Sequence, residues 1–316
     1  MSGPSTVRAG LLAGVLACLA AAGQPASAQG YVPHRVYDTR AKRFVDFEQL
    51  AARAVASDVV FFGEEHDHLD THRFELYLLG AIRRRRPEAT VAMEMFERDN
   101  QAVLDRYLAG EVSEEDFLAA SRPWPRYADH YRAIVEFARA HGWRVIASNV
   151  PRKFASMVAS GGLAALDTMP AATRAFAAAE LRCEPKGTYY KAFSAVMAGM
   201  PTHGSSNTSA AARATQLVRV YEAQCLKDET MAESIARAWS PGGLVVHYNG
   251  SFHSDQRLGT AERTRRRLGK IRELTIVGVP VADLDAVSPS KDDRKRGDYL
   301  LYLLTPPKAD SAHGKP

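Results

Sequence analysis

Carboxylate, imidazole and amide side chains follow directly after four short apolar segments of the 316-residue sequence. The first segment is followed by G-E-E-H at 63–66, and the second runs into Glu94. The third leads to Asn149, and the fourth leads to G-S-F-H at 250–253. Carboxylates and imidazoles together can bind a divalent metal ion, activate water or transfer protons. The candidates for such chemistry are Glu64, His66, Glu94 and His253.

The four apolar segments have the composition of buried β-strands. They are rich in β-branched and aromatic residues and cover residues 58–62, 90–93, 144–147 and 244–247. Helical periodicity between them predicts an α/β fold, with a mainly parallel sheet core flanked by helices. Two further strands are expected near 273–279 and 299–304. Because ligands bind at the carboxyl ends of strands in open α/β sheets, the polar side chains are expected to meet in one crevice.

Residues 151–240 interrupt the alternation of strands and helices. They are predicted to form a helical insertion before the fourth core strand, with a long helix from about 210 to 238 and a loop at 199–208. The charged segment 288–298 is predicted to be a surface loop, and residues 306–316 a disordered tail. The globular domain is therefore expected to cover residues 29–305.

The amino terminus has the features of an export signal. Arg8 precedes an apolar stretch at 9–22, and A-S-A at 26–28 fits a signal-peptidase site. We expect cleavage after residue 28 and a periplasmic or membrane-associated protein. The alternative is a lipid anchor at Cys18, since V-L-A-C at 15–18 loosely resembles a lipobox. In an oxidising compartment, Cys183 and Cys225 form either one disulfide or two separate buried thiols.

Composition and motifs exclude several classes of function. The chain is 46% hydrophobic and 24% charged, which is typical of a globular rather than a disordered protein. Its formal charge of +5 is a mild bias without a basic arm for nucleic acid. No apolar run reaches the ~18 residues of a transmembrane helix. The sequence contains no H-E-x-x-H, P-loop or dinucleotide-binding motif, so a helical zinc pair and a phosphate cradle are unsupported.

Several polar residues also have a purely structural interpretation. His68 and His72 are expected to face solvent before and within a helix. The arginines clustered at 83–86 and 263–272 are expected to cover solvated helix faces or helix ends. The alternative for these arginines is contact with acidic groups such as propionates.

The sequence resembles the ChaN-like haem-binding family over roughly residues 35–305. Five motifs occur in the family's order, namely G-E-E-H-D at 63–67, M-E-M-F at 93–96, N-V-P-R at 149–152, A-Q-C-L-K-D-E-T-M-A at 223–232 and G-S-F-H at 250–253. That family is similar to the Tiki proteases and erythromycin esterases in its α/β core and its G-x-x-H-type first motif.

The resemblance implies an exported haem-binding protein of iron acquisition, which holds ferric haem in the crevice through a tyrosine. Tyr221 and Tyr190 are the candidate iron ligands, and Tyr221 shares a predicted helix face with Gln224 and Asp228. Further implied haem-binding residues are His66, Asn149, Arg152 and His253. A homodimer enclosing a pair of haems and an outer-membrane uptake receptor are the implied partners.

The rival interpretation is a metal-dependent hydrolase of the Tiki-protease or esterase type. Glu64, His66, Glu94 and His253 would then hold a divalent ion or activate water between them. A third interpretation is a scaffold or adhesin without chemistry at its strand ends. The first two require that these four side chains meet at one edge of the sheet.

Overall fold

The strands form one sheet with the order β2-β1-β8-β7-β3-β6-β4-β5 in the computed structural model, which describes residues 31–199 and 209–305. The strands are β1 (His34–Asp38), β2 (Arg43–Val45), β3 (Val59–Glu64), β4 (Thr90–Glu97), β5 (Arg144–Asn149), β6 (Val245–Gly250), β7 (Glu273–Val281) and β8 (Tyr299–Leu304). Strands β3 to β8 pair in parallel, whereas β1 pairs antiparallel with both β2 and β8. The predicted fold class, a mainly parallel α/β sheet, is confirmed.

The six predicted strands correspond to β3 through β8. Strands β1 and β2, at one end of the sheet, were not expected, because they are short and carry few apolar residues. The predicted export signal, the predicted tail and all of the predicted loop at 199–208 except Gly199 lie outside the described residues.

The described helices are α1 (Phe47–Val55), α2 (Leu69–Arg85), α3 (Gln101–Leu108), α4 (Glu114–Ser121), α5 (Tyr127–His130), α6 (Arg132–Ala140), α7 (Arg152–Gly161), α8 (Ala171–Arg174), α9 (Gly187–Gly199), α10 (Ala210–Ala238), α11 (Gly259–Leu268) and α12 (Asp293–Arg296). Helices α7 to α10 lie between β5 and β6, as predicted, and α10 has the expected bounds. The segment 288–298 contains the short helix α12 rather than loop alone. Within the described residues, none of the helices has the length and apolarity needed to cross a membrane.

Both faces of the sheet are covered by helices. Successive residues of a strand point to opposite faces. Val60 and Phe62 of β3 therefore pack in the cluster that includes residues of α1, α2 and α6. Val59 and Phe61 point the other way, into a cluster with Ile235 of α10 and with α11. This alternation continues to the strand ends, where Glu64 of β3 and Glu94 of β4 point to opposite faces of the sheet. Glu64 faces the side of α2 and α6, and Glu94 faces the side of α10 and α11.

A disulfide joins Cys183 to Cys225 and ties the segment before α9 to the middle of α10. Of the two states that the sequence left open, the structure therefore contains the bridge. It lies in an aromatic cluster with Tyr189, Phe193 and Tyr221, so it fixes the position of α9 against α10 beside those rings.

Candidate functional site

Glu64, His66, Glu94 and His253, which we call the strand-end cluster, meet at the carboxyl ends of β3, β4 and β6. His66 lies directly over Gly250, because a Cβ added at Gly250 would be 2.6 Å from His66 Nε2. The same glycine donates its backbone N–H to Glu94 Oε2 at 2.8 Å. A residue with a side chain at this position would displace the imidazole. The four side chains therefore meet at one edge of the sheet, as both the haem-binding and the hydrolase interpretations require.

Glu64 is buried and receives two hydrogen bonds on one oxygen. His66 Nδ1 lies 2.7 Å from Glu64 Oε1, and the Tyr131 hydroxyl donates to the same oxygen at 2.8 Å. Burial opposes ionisation of Glu64, but the His66 hydrogen bond and nearby histidine charges lower the pKa of its carboxyl. Burial also disfavours charge on His66, yet Glu64 and Glu94 raise the pKa of its imidazole. His66 is the exposed member, with 40% of its side chain accessible.

The interpretation of His68 and His72 as solvent-facing residues is wrong, because both are buried. His68 caps the amino terminus of α2 by accepting from the Thr71 N–H, and its other ring nitrogen lies 2.9 Å from the Leu304 carbonyl oxygen. His72 lies beneath the strand-end cluster, with Nδ1 3.1 Å from Glu75 Oε2. Burial lowers the pKa of His72 and, together with the Glu64 charge, raises that of Glu75 well above its usual range.

His253 lies between two buried carboxylates. Its Nδ1 is 2.7 Å from Asp228 Oδ1 of α10, and its Nε2 is 3.2 Å from Glu94 Oε1. Burial opposes the charged imidazole, but the Glu94 and Asp228 charges and their hydrogen bonds raise the pKa of His253 to about 10. Burial alone would raise the pKa of Glu94, and the His253 charge instead holds it well below its usual range.

This charge state bears on the hydrolase interpretation. A general base needs a free lone pair and a pKa near the working pH. His253 is an imidazolium at neutral pH, and both of its N–H groups donate to carboxylates. Glu94, His253 and Asp228 thus form a closed network of ion pairs. This network does not favour hydrolysis at His253.

Asp228 continues this network away from the strand ends. It accepts from the Thr260 hydroxyl at 2.9 Å and from the Tyr189 hydroxyl at 2.6 Å. Tyr189 also stacks on Phe252 with ring centroids 5.4 Å apart. The phenol of Tyr189 is therefore committed to Asp228, and its ring forms part of the aromatic wall between α9 and α10.

A cavity of about 410 Å³ opens beside this wall, and we call it the Tyr221 cleft. Its lining includes Tyr189, Tyr221, Arg182, Lys186, Arg263 and Arg266. Burial raises the pKa of the Tyr221 phenol, while the charge and hydrogen bond of Arg263 oppose that rise. Tyr190, the other predicted ligand, packs edge-on against Tyr221 with ring centroids 4.9 Å apart.

The arginines of α11 do not form the solvated helix face expected from the sequence. Arg263, Arg266 and Arg267 converge on the buried carboxylate of Glu229 in α10. Arg263 is itself buried and also donates to the Gly259 carbonyl at 3.0 Å. Three guanidinium groups share the Glu229 carboxylate. The lining of the Tyr221 cleft contains four cationic side chains and two carboxylates, those of Glu184 and Glu262, so positive charge is in excess there.

Asn149 and Arg152 lie at the end of β5 and the start of α7. Asn149 is buried, and its side-chain oxygen accepts from the Val150 N–H at 2.9 Å. Arg152 is 70% exposed, with its Nε 3.9 Å from Glu97 Oε1. It lines a separate cavity of about 550 Å³ that does not include Tyr221. The structure therefore does not bring these two predicted haem contacts into the Tyr221 cleft.

Two residues of the site, Tyr131 and Glu75, had no role assigned from the sequence. Tyr131 precedes α6, and Glu75 belongs to the second turn of α2. Neither follows a strand, so the rule that identified the strand-end cluster could not find them. Asp228 could have been identified as a site residue from the sequence, since its polar side chain shares a helix face with Tyr221 at a spacing of seven residues.

A family profile and the solved structure of a ChaN protein agree with this architecture. A sequence profile of the family described as haem-binding uptake, Tiki superfamily, ChaN matches residues 50–264. A solved structure described as cofacial heme binding to ChaN of Campylobacter jejuni has 16% sequence identity and a TM-score of 0.64, and the match covers 85% of this chain and 96% of that chain. A mutant of erythromycin esterase EreC in its open conformation has 13% identity and a TM-score of 0.44, covering 80% of this chain and 78% of that chain.

A search of curated protein sequences gave no significant match. The family assignment depends on the sequence profile, which spans about two thirds of the 316 residues. The chain belongs to the ChaN haem-binding uptake family of the Tiki superfamily.

Proposed function

We propose that this protein is an exported haem-binding protein of iron acquisition and that Tyr221 is its iron ligand. Membership of the haem-binding uptake family supports the ligand class. The observation that carries the residue assignment is the Tyr221 cleft, where a phenol lies beside the guanidinium of Arg263. A positive charge next to a phenol favours the phenolate form that binds ferric iron.

The Tyr221 cleft offers a porphyrin the rings of Tyr189 and Tyr221 and several cations, within a lining in which six of eleven residues are charged. Ligand sites are mostly apolar cavities of roughly 300–1,000 Å³ with a few polar anchors. The Tyr221 cleft measures about 410 Å³. The rings of Tyr189 and Phe193 pack against Tyr221, and Phe252 stacks on Tyr189. Arg182 and Lys186 on its rim supply cations for the two propionates. When bound, haem supplies a ferric iron with high affinity for an anionic oxygen.

The contacts of the three neighbouring tyrosines favour Tyr221. Tyr189 already donates its hydroxyl to Asp228 at 2.6 Å. Tyr190 is half-buried beside Tyr221 and is not among the residues that line the cleft. Tyr221 borders the cavity and contacts Arg263. Tyr190 remains the second candidate for the iron ligand, and His66, Asn149, Arg152 and His253 remain candidates only for contacts outside this cleft.

Hemin titration followed by absorbance tests this assignment. Wild-type protein should bind hemin with a tyrosinate-type visible spectrum, and Tyr221→Phe should lose that spectrum because it removes only the ligating oxygen. Tyr190→Phe should retain it. Tyr302→Phe is the matched control, since this tyrosine lies in β8 in a different side-chain cluster. A wild-type spectrum in Tyr221→Phe would refute the ligand assignment, and its loss in Tyr190→Phe alone would transfer the role to Tyr190.

A dimer and export complete the proposal. The similar ChaN structure is described by cofacial haem binding, in which two haem planes face each other. A second copy of this chain would likewise cover the open side of the Tyr221 cleft, and the dimer would pass haem to or from an outer-membrane receptor. Sedimentation with and without hemin tests dimerisation. The mass of the mature amino terminus distinguishes cleavage after residue 28 from lipidation at Cys18.

A further inference from the structure

Glu64, His72 and Glu75 form a second, fully buried group under the strand-end cluster. Glu64 ends β3, while His72 and Glu75 lie one turn apart on the same face of α2. One ligand atom from each residue lies within 4.8 Å of the other two. Among the described residues, this is the group of histidine and carboxylate side chains whose spacing suits a metal ion. It shares Glu64, but no other residue, with the metal site predicted from the sequence.

The orientation of His72 is fixed by its second nitrogen. His72 Nε2 lies 3.1 Å from the His66 carbonyl oxygen. Because a carbonyl only accepts, Nε2 carries a proton and Nδ1 of the neutral ring carries a lone pair. That lone pair faces Glu75 Oε2 at 3.1 Å and Glu64 Oε2 at 3.6 Å. Three electron-rich atoms therefore point at one another inside the protein.

A single extra proton does not satisfy this arrangement. Placed between Glu75 and Glu64, it leaves the His72 Nδ1 lone pair without a donor. Placed between His72 Nδ1 and Glu75 Oε2, it leaves two other carboxylate oxygens without a donor. Those atoms are Glu64 Oε2 and Glu75 Oε1, which are buried and have no hydrogen-bond partner among the described residues. Buried carboxylate oxygens without partners destabilise the folded protein unless a cation compensates them.

The surrounding hydrogen bonds match those of metal ligands. Metal-binding histidines usually donate their other N–H to a carbonyl or carboxylate, and ligating carboxylates are held by further donors. His72 donates to a backbone carbonyl, and Glu64 Oε1 is held by Tyr131 and His66. A tetrahedral ion about 2.0–2.1 Å from each donor places the donors about 3.3 Å apart. The two separations around His72 Nδ1, 3.1 and 3.6 Å, bracket that value.

We propose that Glu64, His72 and Glu75 bind one divalent transition-metal ion, with zinc and manganese as the ions that suit two carboxylates and an imidazole. Its two positive charges would neutralise both buried carboxylates and link β3 to α2 beneath His66. This site is independent of haem and uses neither Tyr221 nor the cleft.

Metal stoichiometry provides the test. Full-length protein without an affinity tag is stripped with a chelator, dialysed and titrated with zinc chloride or manganese chloride, and bound metal is measured by mass spectrometry. We expect one equivalent per chain and a Tm that rises until one equivalent is bound. Glu75→Gln preserves shape but removes a ligand charge, and should weaken binding more than about 100-fold, beyond the usual effect of changing an outer-shell partner.

Two matched variants locate the ion. Glu65→Gln removes an exposed carboxylate next to Glu64 and should bind metal like the wild type. Glu94→Gln should also retain the ion, whereas its loss there would move the site to the strand-end cluster. His72→Gln repeats the test should Glu75→Gln fail to fold. Wild-type protein without stoichiometric metal would overturn the proposal, and an increased Tm in Glu75→Gln would then show that a shared proton occupies the site.

Discussion

Replacing His253 by glutamine should change how the stability of this protein depends on pH. The histidine lies between Glu94 and Asp228 with a pKa of about 10, against an ordinary value of 6.5. Glutamine fills a similar volume and cannot carry the charge. Each pKa unit corresponds to about 1.4 kcal/mol, so the two carboxylates stabilise the folded, protonated state by about 5 kcal/mol at most.

The direction of the effect follows from linkage. The folded pKa of His253 is raised above its unfolded value, so its contribution to stability is complete below pH 6.5 and disappears as pH rises through about 10. Between these limits the folded state binds one more proton than the unfolded state. The free energy of unfolding should therefore fall by about 1.4 kcal/mol per pH unit from this residue alone.

Urea unfolding of wild type and His253→Gln between pH 6 and 10 measures this slope. The variant should be less stable by roughly 3–5 kcal/mol at the acidic end, because it leaves two buried carboxylates without a counter-charge. The difference should narrow by about 3 kcal/mol between pH 7.5 and 9.5. His141→Gln is the matched control, since this histidine is exposed at the end of α6, and its curve should parallel that of the wild type. A constant difference between wild type and His253→Gln would refute the charged network.

Two further predictions concern stability and are checked by thermal or urea unfolding. Gly250→Ala places a Cβ 2.6 Å from His66 Nε2, so it should separate His66 from Glu64 and destabilise the fold by about 1–3 kcal/mol. Gly80→Ala in α2, where the added Cβ would lie 3.8 Å from Arg84 Nη1, should instead be neutral or stabilising. Reducing the Cys183–Cys225 bridge, which closes a 42-residue separation, should lower the free energy of unfolding by about 4 kcal/mol. An unchanged urea midpoint in reductant would contradict this.

The sheet was predictable where strands are buried on both faces. Segments such as 58–62 are almost wholly apolar, because helices cover both sides of β3. Strand β1 has the sequence HRVYD and no such run. Its place in the sheet depends on pairing with β8, which comes more than 250 residues later in the chain. The sequence pattern within β1 contains no information about its pairing with β8.

The strand-end cluster was predictable for a related reason. Glu64, Glu94 and His253 follow parallel strands, and the carboxyl ends of parallel strands meet at one edge. Contacts contributed by helices were not predictable, since they depend on the position and the rotation of each helix on the sheet. Glu229 thus collects three arginines of α11 only because α10 and α11 pack side by side.

Asp228 connects the strand-end cluster to the Tyr221 cleft. One carboxylate oxygen holds His253 and the other holds Tyr189, whose ring lines the cleft. A catalytic histidine must exchange its hydrogen bonds during a reaction, whereas His253 keeps both N–H groups on buried carboxylates. In this chain the residues that resemble a hydrolytic site therefore hold the wall of the cleft in place. Changes at Asp228 should accordingly alter hemin affinity through Tyr189 without removing Tyr221, the proposed iron ligand.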